Sequence, residues 1–410
     1  MADDTMADTD LQRFDVVIQG GGIVGLAMAA RLGEIEARSP IDGHPGLTIA
    51  VIDADQAPEA LSEDTLALRT TSLNAGAINL LERNGVLAHL PEWFLTTFDR
   101  LEVGDRTRPV ALSFDASDIQ LPRFGVFVEN DRLRYALWQL LKQRERVSLL
   151  AESRVRTREV LPDRQRLILD NGDIIEGALL IGADGARSMV RRDAGIDARS
   201  RDYAQNAQVI NVRLAEHRDI HTTWQVFAPE GPLALLPLHD RQASLIWYDR
   251  PGTVQSRMAM DDEMLKATIR QHFPPRLPEI ETIIERGQFP IARQHAQRYI
   301  APRLALIGDA AHVIHPMAGQ GVNLGLADVE ILGDQLDRAL RYGRDLGDQR
   351  ALKHYQRHQW PRNAAMLTAV DQLYDIFRSP MADLFGRGLG GANHITPVKR
   401  LMMKMAVGPT

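Results

Sequence analysis

The chain has no cysteine among its 410 residues. Disulfides, thiolate nucleophiles and Cys-ligated zinc or iron–sulfur sites are therefore excluded. Any redox chemistry must use a bound organic cofactor or a metal held by other ligands. The sequence also lacks a convincing Ser/His/Asp set, well-spaced paired carboxylates and a zinc signature: His354 and His358 have helical spacing but no intervening glutamate of a metalloprotease motif. We therefore name no catalytic residue and no metal site.

Long apolar runs are missing as well. No stretch approaches about eighteen uninterrupted apolar residues, and no basic segment precedes an apolar one at the N-terminus. A cytoplasmic protein is expected, with residues 1–12 as a disordered, charged leader. The formal net charge is −6 and no basic stripe alternates with aromatic residues, so nucleic acid is not an expected partner.

The strongest motif that is present is a glycine-rich turn near the start. The apolar run Phe14 to Ile18 predicts a strand, and Ile23 to Leu32 has the spacing of a helix. Between and within them, Gly20, Gly22 and Gly25 form G-x-G-x-x-G: the first permits the turn, the second lets backbone approach a pyrophosphate, and the third permits close helix packing. This strand–turn–helix context predicts dinucleotide binding.

A second strand, Leu47 to Ile52, ends at Asp53 after a loop rich in proline and glycine. A carboxylate there would accept the ribose hydroxyls of an adenosine group. Its distance along the chain from the glycines exceeds the usual spacing, and an exposed residue at a strand end is the alternative. A further G-x-G-x-x-G at Gly386, Gly388 and Gly391 follows no strand and is interpreted as the turn that ends a helix. With one dinucleotide fold, a nicotinamide reductant would dock only transiently.

Two more predicted strands run into aspartates. Leu179 to Ile181 leads into Asp184, and Leu304 to Ile307 leads into Gly308 and Asp309. A glycine-rich segment then opens another helix, whose backbone N–H groups would stabilise the negative charge of a reduced flavin. A loop that merely turns is the alternative for that segment.

These motifs resemble the fingerprints of a known family. Three segments resemble those of the class A flavoprotein aromatic hydroxylases, the p-hydroxybenzoate hydroxylase fold: Gly20 to Gly25, Gly182 to Ser188 and Gly308 to Gly325. Other segments resemble the ubiquinone-biosynthesis hydroxylases: Arg69 to Ala75, Glu129 and Asn130 with Tyr135 to Trp138, and Trp224 through Pro237. Ala243 to Asp249 is similar to the branch that hydroxylates the demethoxyubiquinol ring. The resemblance covers nearly the whole chain.

The strand pattern and this resemblance predict an α/β fold, in which a Rossmann-type FAD-binding domain is interleaved with a mostly antiparallel β-sheet substrate domain and followed by C-terminal helices. The expected FAD-binding domain is discontinuous and comprises residues 13–85, 125–194 and 296–348. The expected substrate domain comprises 86–124 and 195–295, and the helical region comprises 349–410.

The resemblance implies FAD as the cofactor and NAD(P)H as its reductant. Motifs and resemblance together predict a cofactor-binding set: Gly20, Gly22, Ile23, Val24, Gly25, Asp53, Arg69, Arg134, Asp184, Gly308, Asp309, Pro316, Gly319, Gln320, Gly321, Val322 and Asn323. By resemblance, Asp309 holds the ribityl chain and Pro316 to Asn323 line the isoalloxazine ring. His312 and His315 lie beside this segment. We interpret them as residues with packing or backbone roles, because flavin hydroxylation does not demand them, and tuning of proton transfer is the alternative.

The implied activity is monooxygenation: NAD(P)H reduces the flavin, dioxygen adds at C4a, and the hydroperoxide hydroxylates a prenylated phenol or benzoquinol ring in ubiquinone biosynthesis. The protein would supply an apolar pocket that excludes water, for which Trp224, Phe227, Leu235 and Tyr248 are candidates. A prenyl reductase of the same fold and a non-catalytic FAD-bound scaffold of a biosynthetic complex remain alternatives. The basic, methionine-rich tail Val398 to Val407 predicts either contact with the surface of the inner membrane or packing on the chain or on a second subunit.

Overall fold

The computed structural model describes residues 11–38, 46–62, 65–105, 110, 112–216, 221–316 and 319–378. The tail Val398 to Val407, the second glycine pattern at 386–391 and the loop at 39–45 lie outside these residues. Of the predicted leader, residues 1–10 also lie outside. Its last two residues were assigned wrongly, because Leu11 and Gln12 pair with Ile174 and Ile175 in a parallel ladder and so belong to the first strand.

In the first half of the described chain, single α-helices separate groups of one to four strands. The strands are β1 (Leu11–Gln19), β2 (Ile49–Ile52), β3 (Thr70–Asn74), β4 (Thr96–Phe98), β5 (Arg100–Asp105), β6 (Leu112–Asp115), β7 (Gly125–Glu129), β8 (Val147–Leu150), β9 (Val155–Val160), β10 (Gln165–Leu169), β11 (Ile174–Gly182), β12 (Ala198–Leu214), β13 (Thr222–Ala228), β14 (Gly231–Pro237), β15 (Gln242–Asp249), β16 (Ile280–Ala296), β17 (Ile300–Ala301), β18 (Leu304–Leu306) and β19 (His312–Val313). The helices are α1 (Ile23–Arg38), α2 (Ala75–Arg83), α3 (Asn130–Lys142), α4 (Met189–Asp193), α5 (Pro251–Met258), α6 (Asp262–His272), α7 (Gly321–Arg341) and α8 (Gln349–Arg378).

The first sheet is largely parallel. Its order is β17-β18-β11-β1-β2-β8, with β10 and β9 extending from β11, and the ladders from β18 through β8 are all parallel. The sequence of β2, Ile-Ala-Val-Ile, is buried at every position. A continuous apolar run of this kind suits a strand covered on both faces, and α1, α3 and α7 contribute to the same core.

The second sheet is mainly antiparallel and follows the order β19-β16-β12-β15-β14-β13-β5-β6, in which only the β13–β5 ladder is parallel among the described strands. One face packs on α6, where Leu265, Ile269 and Phe273 meet apolar residues of β12 to β15. The opposite face turns towards α8. A small sheet, β3-β7-β4, lies beside these two.

Helix α8 joins the two large sheets. Its Trp360 Nε1 donates to the carbonyl of Ala296 at 3.0 Å, and Asp371 accepts hydrogen bonds from Tyr203 of β12 and Arg293 of β16. The pairing of β19 with β16 also connects the segment after β18 to the second sheet. These links fix the second sheet relative to the carboxyl ends of the first.

The predicted fold class is confirmed: an α/β chain with a parallel sheet, a mostly antiparallel sheet and helices at the C-terminal end. The exact domain limits stay a prediction. The strand β4 falls in a segment assigned to the substrate domain yet pairs with β7, which was assigned to the FAD-binding domain. No helix in the described part of the chain combines the length and the apolar content needed to cross a membrane.

Candidate functional site

Four adjacent parallel strands end at one edge of the first sheet with the predicted motifs. The register pairs Gln19 of β1 with Gly182 of β11 and with Ile52 of β2, and it pairs Gly182 with Leu306 of β18. The glycine turn, Asp53, the Asp184 segment and the Gly308 turn therefore follow strands that end at the same level. The crevice outside the carboxyl ends of such strands is where open α/β sheets bind ligands. We call this crevice, at the ends of β18, β11, β1 and β2, the cleft.

The glycine turn has two glycines that the protein's own packing requires and one that faces open space. Gly20 has a φ of +119°, and a Cβ placed on it would lie 2.2 Å from the carbonyl oxygen of Ala183. A Cβ on Gly25 would lie 1.9 Å from the carbonyl oxygen of Gly20. Among the described atoms, a Cβ on Gly22 would meet nothing within 4 Å. The backbone at Gly22 is thus open to an outside group at the start of α1, whose first turn carries no acidic residue to neutralise its positive end.

Asp53 and Arg134 meet beside this turn. Arg134, on α3, donates from Nε to the carbonyl of Gly21 at 2.8 Å and from Nη2 to Asp53 Oδ2 at 3.2 Å. The other Asp53 oxygen accepts the N–H of Asp55 at 3.0 Å. Both side chains are only partly buried. Two residues from the predicted set are therefore in contact, and Arg134 braces the glycine turn whether or not it also touches a cofactor.

The Asp184 carboxylate accepts hydrogen bonds from residues at the start of α4. Its Oδ1 accepts the hydroxyl of Ser188 at 2.5 Å, and its Oδ2 accepts the N–H groups of Met189 and Val190 at 2.7 and 3.0 Å. Capping of α4 accounts for these bonds. The predicted role of Asp184 in cofactor contact stays a prediction.

The Gly308–Asp309 turn meets the glycine turn through Val24. A Cβ on Gly308, which has a φ of +58°, would lie 3.1 Å from Val24 Cγ1, and a Cβ on Gly325 would lie 2.5 Å from Val24 Cγ2. Asp309 is exposed at its surface, but desolvation by the surrounding protein raises the pKa of its carboxyl group. The charges of His312 and Arg69 act in the opposite direction. Arg69 reaches this region from the end of another segment, with its guanidinium 5.1 Å from the ring centroid of Phe289.

The start of α7 lies beside the Gly308–Asp309 turn, since a Cβ on Gly325 would lie 3.3 Å from Gly308 Cα. Gln320 is the N-cap residue and makes no side-chain capping hydrogen bond, and a Cβ on Gly321 would meet nothing within 4 Å among the described atoms. Asn323 donates to the carbonyls of Ser72 and Gly319 at 2.7 and 3.1 Å and accepts the N–H of Asn74 at 2.9 Å. It therefore fastens the start of α7 to β3. Pro316 is exposed and accepts the N–H of Gly319, while Ile23 and Val322 are partly buried against the core.

Comparison with known proteins shows the family to which the chain belongs. A family described as FAD binding domain matches residues 13–370. The chain belongs to this FAD-binding family. The fit is also visible in the cleft, where Gly22 leaves room that a Cβ would occupy and the first turn of α7 has no side-chain cap.

Two relatives and one solved structure carry the comparison further. The 3-demethoxyubiquinol 3-hydroxylase of Escherichia coli is 37% identical over 400 residues, which cover 97% of this chain and 99% of the relative. The ubiquinone hydroxylase UbiL of Rhodospirillum rubrum is 34% identical over 399 residues, covering 96% and 89%. The crystal structure of p-nitrophenol 4-monooxygenase PnpA from Pseudomonas putida superposes with a TM-score of 0.78 at 16% identity, covering 98% and 100%, and shows the shared fold. The resemblance predicted from the motifs is confirmed.

On the sheet side of this FAD-binding protein, aromatic rings surround His315, next to Pro316. The ring of Tyr248 stacks on His315 at 5.6 Å and 22°, and Tyr203 and Tyr374 meet it at 4.8 and 5.0 Å. Burial lowers the pKa of His315 to about 4, although Asp371 opposes the shift, so the imidazole is neutral at pH 7. This result agrees with a packing role.

The four predicted ring-pocket residues divide between the two faces of the second sheet. Phe227 and Tyr248 lie in the aromatic cluster on the α8 side. Trp224 and Leu235 pack under α6, so their assignment to the same pocket was wrong. Alternate residues of a strand point to opposite faces, and all four positions could not share one face.

Sequence reasoning missed two buried polar groups of the FAD-binding domain. Glu129 accepts the N–H of Ala67 at 2.6 Å and Arg132 Nε at 2.5 Å, and Arg132 also donates to the carbonyls of Leu61, Ser62 and Thr65. This clasp holds the segment that leads to Arg69. The second group surrounds Asp328, which stands four residues from both Leu324 and Leu332 on the buried face of α7. A carboxylate on an apolar helical face was the signal that could have found it.

Proposed function

We propose that the chain is an FAD-dependent monooxygenase that hydroxylates the ring of a prenylated benzoquinol or phenol in ubiquinone biosynthesis, with NAD(P)H and dioxygen as co-substrates. The observation that carries the proposal is the line of motifs at the ends of β18, β11, β1 and β2, in a chain whose relatives match it almost from end to end. The names of those relatives supply the substrate class.

In this proposal, different residues of the cleft hold different parts of the cofactor. The pyrophosphate lies at the start of α1 beside Gly22, where backbone N–H groups and the helix dipole favour negative charge. Asp53 accepts the hydroxyls of the adenosine ribose, with Arg134 holding its carboxylate in place. Asp309 accepts the hydroxyls of the ribityl chain, and the segment from Pro316 to Asn323 lies along the isoalloxazine ring.

Bound FAD supplies the redox chemistry, taking electrons from NAD(P)H and activating dioxygen. The chain's own groups do the rest. The N–H groups at the start of α7 stabilise negative charge on the ring's pyrimidine side, because no side chain of the N-cap residue competes for them. The aromatic face around Phe227 and Tyr248 excludes water and orients the quinol ring. Burial raises the pKa of Tyr248, so its phenol stays protonated.

The substrate's prenyl chain also bears on location and partners. An apolar chain partitions into lipid, so a protein that uses such a substrate gains from contact with the membrane surface. We propose peripheral contact with the inner membrane from the cytoplasmic side, or membership of a biosynthetic assembly or of a homo-oligomer. The proposal also includes the limits of the FAD-binding domain, the substrate domain and the helical region that the sequence predicts.

The deciding experiment follows labelled oxygen. Purified protein with FAD, NADH or NADPH and a short-chain demethoxyubiquinol analogue under ¹⁸O₂ is expected to give a product that has gained one ¹⁸O atom. Saturation of prenyl double bonds without oxygen uptake would instead identify a reductase. Bound FAD without any turnover would indicate a scaffold. Either of these two results would reject the monooxygenase proposal.

A further inference from the structure

A buried polar cluster lies directly behind the Gly308–Asp309 turn. We call it the Asp328 cluster, and its members are His312, Asp328, Gln359 and Asn363. All four side chains are essentially excluded from solvent. Asp328, on α7, is its centre, and both of its oxygens accept hydrogen bonds.

The two oxygens of Asp328 serve different parts of the protein. Oδ2 accepts the backbone N–H of Gly308 at 2.9 Å and His312 Nε2 at 2.6 Å. Oδ1 accepts Gln359 Nε2 at 2.9 Å and Asn363 Nδ2 at 3.2 Å, both from α8. One side of the carboxylate therefore holds the turn that carries Asp309, and the other side holds α8.

Burying a carboxylate between two helices is energetically unfavourable. Removing a charge from water costs several kcal/mol, and an apolar group of similar volume often stabilises such a position equally well. What an apolar group cannot do is accept an N–H from Gly308. The bond to Gly308 lies one residue from Asp309, whereas the bonds at the other oxygen come from Gln359 and Asn363 of α8.

His312 adds charge to this arrangement. Burial opposes its protonation, but the contact with Asp328 outweighs burial and raises the pKa of His312. Burial raises the pKa of Asp309, and the charge of His312 acts against this rise. Burial together with His312 lowers the pKa of His295 to about 4. An imidazolium behind the turn thus favours the ionised form of Asp309, which is the form that accepts hydrogen bonds from hydroxyl groups.

We propose that Asp328, through His312 and the N–H of Gly308, is a positioning residue for FAD: it holds Asp309 in register with the first turns of α7. The inference rests on the proposed function of the cleft, because it assigns Asp309 to the cofactor. The Asp328–His312 pair acts on FAD binding through Asp328 Oδ2. The hydrogen bonds at Asp328 Oδ1 stabilise the fold without acting on FAD.

The test compares variants on the two sides of the same carboxylate. H312Q keeps an N–H donor of similar reach while removing the charge, and Q359M removes a bond at Oδ1 at similar volume. For each full-length apoprotein, the melting temperature and the Kd for added FAD, measured by quenching of flavin fluorescence, are determined. H312Q is expected to raise the Kd by about tenfold or more, with a change in apoprotein melting temperature no larger than that of Q359M. Q359M is expected to lower the melting temperature and leave the Kd within about twofold of the unmodified protein.

D328N and the double variant D328N/H312Q test the route. Because Asp328 and His312 form one hydrogen-bonded pair, the double variant is expected to raise the Kd by less than the product of the two single-variant factors. Equal changes in Kd for H312Q and Q359M, or none in H312Q, would overturn the positioning role. Oxygen incorporation by the unmodified protein is scored separately: FAD binding with no ¹⁸O in the product rejects the monooxygenase proposal only, and an unaffected H312Q Kd rejects the positioning role only.

Discussion

A Cβ added to Gly25 would lie 1.9 Å from the carbonyl oxygen of Gly20, so the third glycine of the turn is required by contact within the protein. The second glycine has no such internal reason, because a Cβ on Gly22 would meet nothing within 4 Å. Glycine at that position is explained by a group that approaches the backbone from outside, as a pyrophosphate does. Two glycines of the motif are thus required by the fold, and we propose that the third is required by the ligand.

Substitution of Gly22 separates binding from folding. G22A is expected to leave the apoprotein melting temperature nearly unchanged and to raise the Kd for FAD by about tenfold or more, because its methyl group occupies the space of the pyrophosphate. Flavin titration and thermal unfolding of the apoprotein measure the two quantities.

The matched control is G33A on the same helix, where a Cβ also meets nothing within 4 Å. Alanine in a helix interior is favoured over glycine by about 0.5–1 kcal/mol, so G33A should be slightly more stable and bind FAD normally. A G22A protein that binds FAD as tightly as G33A would show that the turn does not hold the cofactor.

The contact between Arg134 and Asp53 makes a second prediction. R134M removes the donors to Gly21 and Asp53 and is expected to weaken FAD binding by about tenfold, while D53N is expected to weaken it by a similar factor. The loss of FAD-binding free energy in the double variant should be smaller than the sum of the losses in the two single variants, because each residue acts partly through the other. Strictly additive losses, measured by FAD titration, would mean that the residues contribute independently.

Sequence reasoning succeeded where a motif and its context occupy neighbouring positions along the chain. The strands before Gly20, Asp53, Asp184 and Gly308 were each predicted from short apolar runs, and all four lie in one parallel sheet. Their adjacency followed from the resemblance and from the tendency of parallel strands to place ligands at their carboxyl ends.

Contacts between distant residues could not be predicted in this way. Arg132 reaches carbonyls about seventy residues earlier in the chain, and Asp328 meets Gln359 and Asn363 of another helix. Trp224 and Leu235 were misplaced because an alternating pattern shows which residues share a face but not what covers that face. Nothing local distinguishes a face under α6 from one towards α8.

The Glu129–Arg132 clasp predicts a large loss of stability. R132M removes the arginine partner of the Glu129 carboxylate, which is 1% exposed and keeps the N–H of Ala67 and His239 Nε2 at 3.7 Å, and is expected to cost about 3–5 kcal/mol. R341M, which removes an exposed pair with Asp337, should cost less than about 1 kcal/mol. Urea unfolding of the two variants gives the comparison, and losses of equal size would contradict the account of the clasp.

The raised pKa of His312 predicts how stability changes with pH. A group whose pKa is higher in the folded state contributes its full stabilisation below the unfolded value near 6.5 and loses it as pH rises through the folded value. The charged and titratable neighbours are Asp328 on α7, Asp309 on the same turn, His295 on β16 and Tyr299 after it. Their combined effect favours the imidazolium.

The difference in melting temperature between unmodified protein and H312Q should therefore shrink between about pH 6 and pH 9. Thermal unfolding of both apoproteins across this range provides the measurement. A difference that stays constant or grows with pH would show that folding does not raise the pKa of His312.

A crystal structure of the protein with FAD tests the central claim most directly, because that claim concerns where one ligand meets four strand ends. The account predicts the pyrophosphate at Gly22, the adenosine ribose at Asp53, the ribityl chain at Asp309 and the isoalloxazine ring along the start of α7. Electron density for FAD that leaves Gly22 and Asp309 without contact, or no bound FAD at saturating concentration, would contradict it.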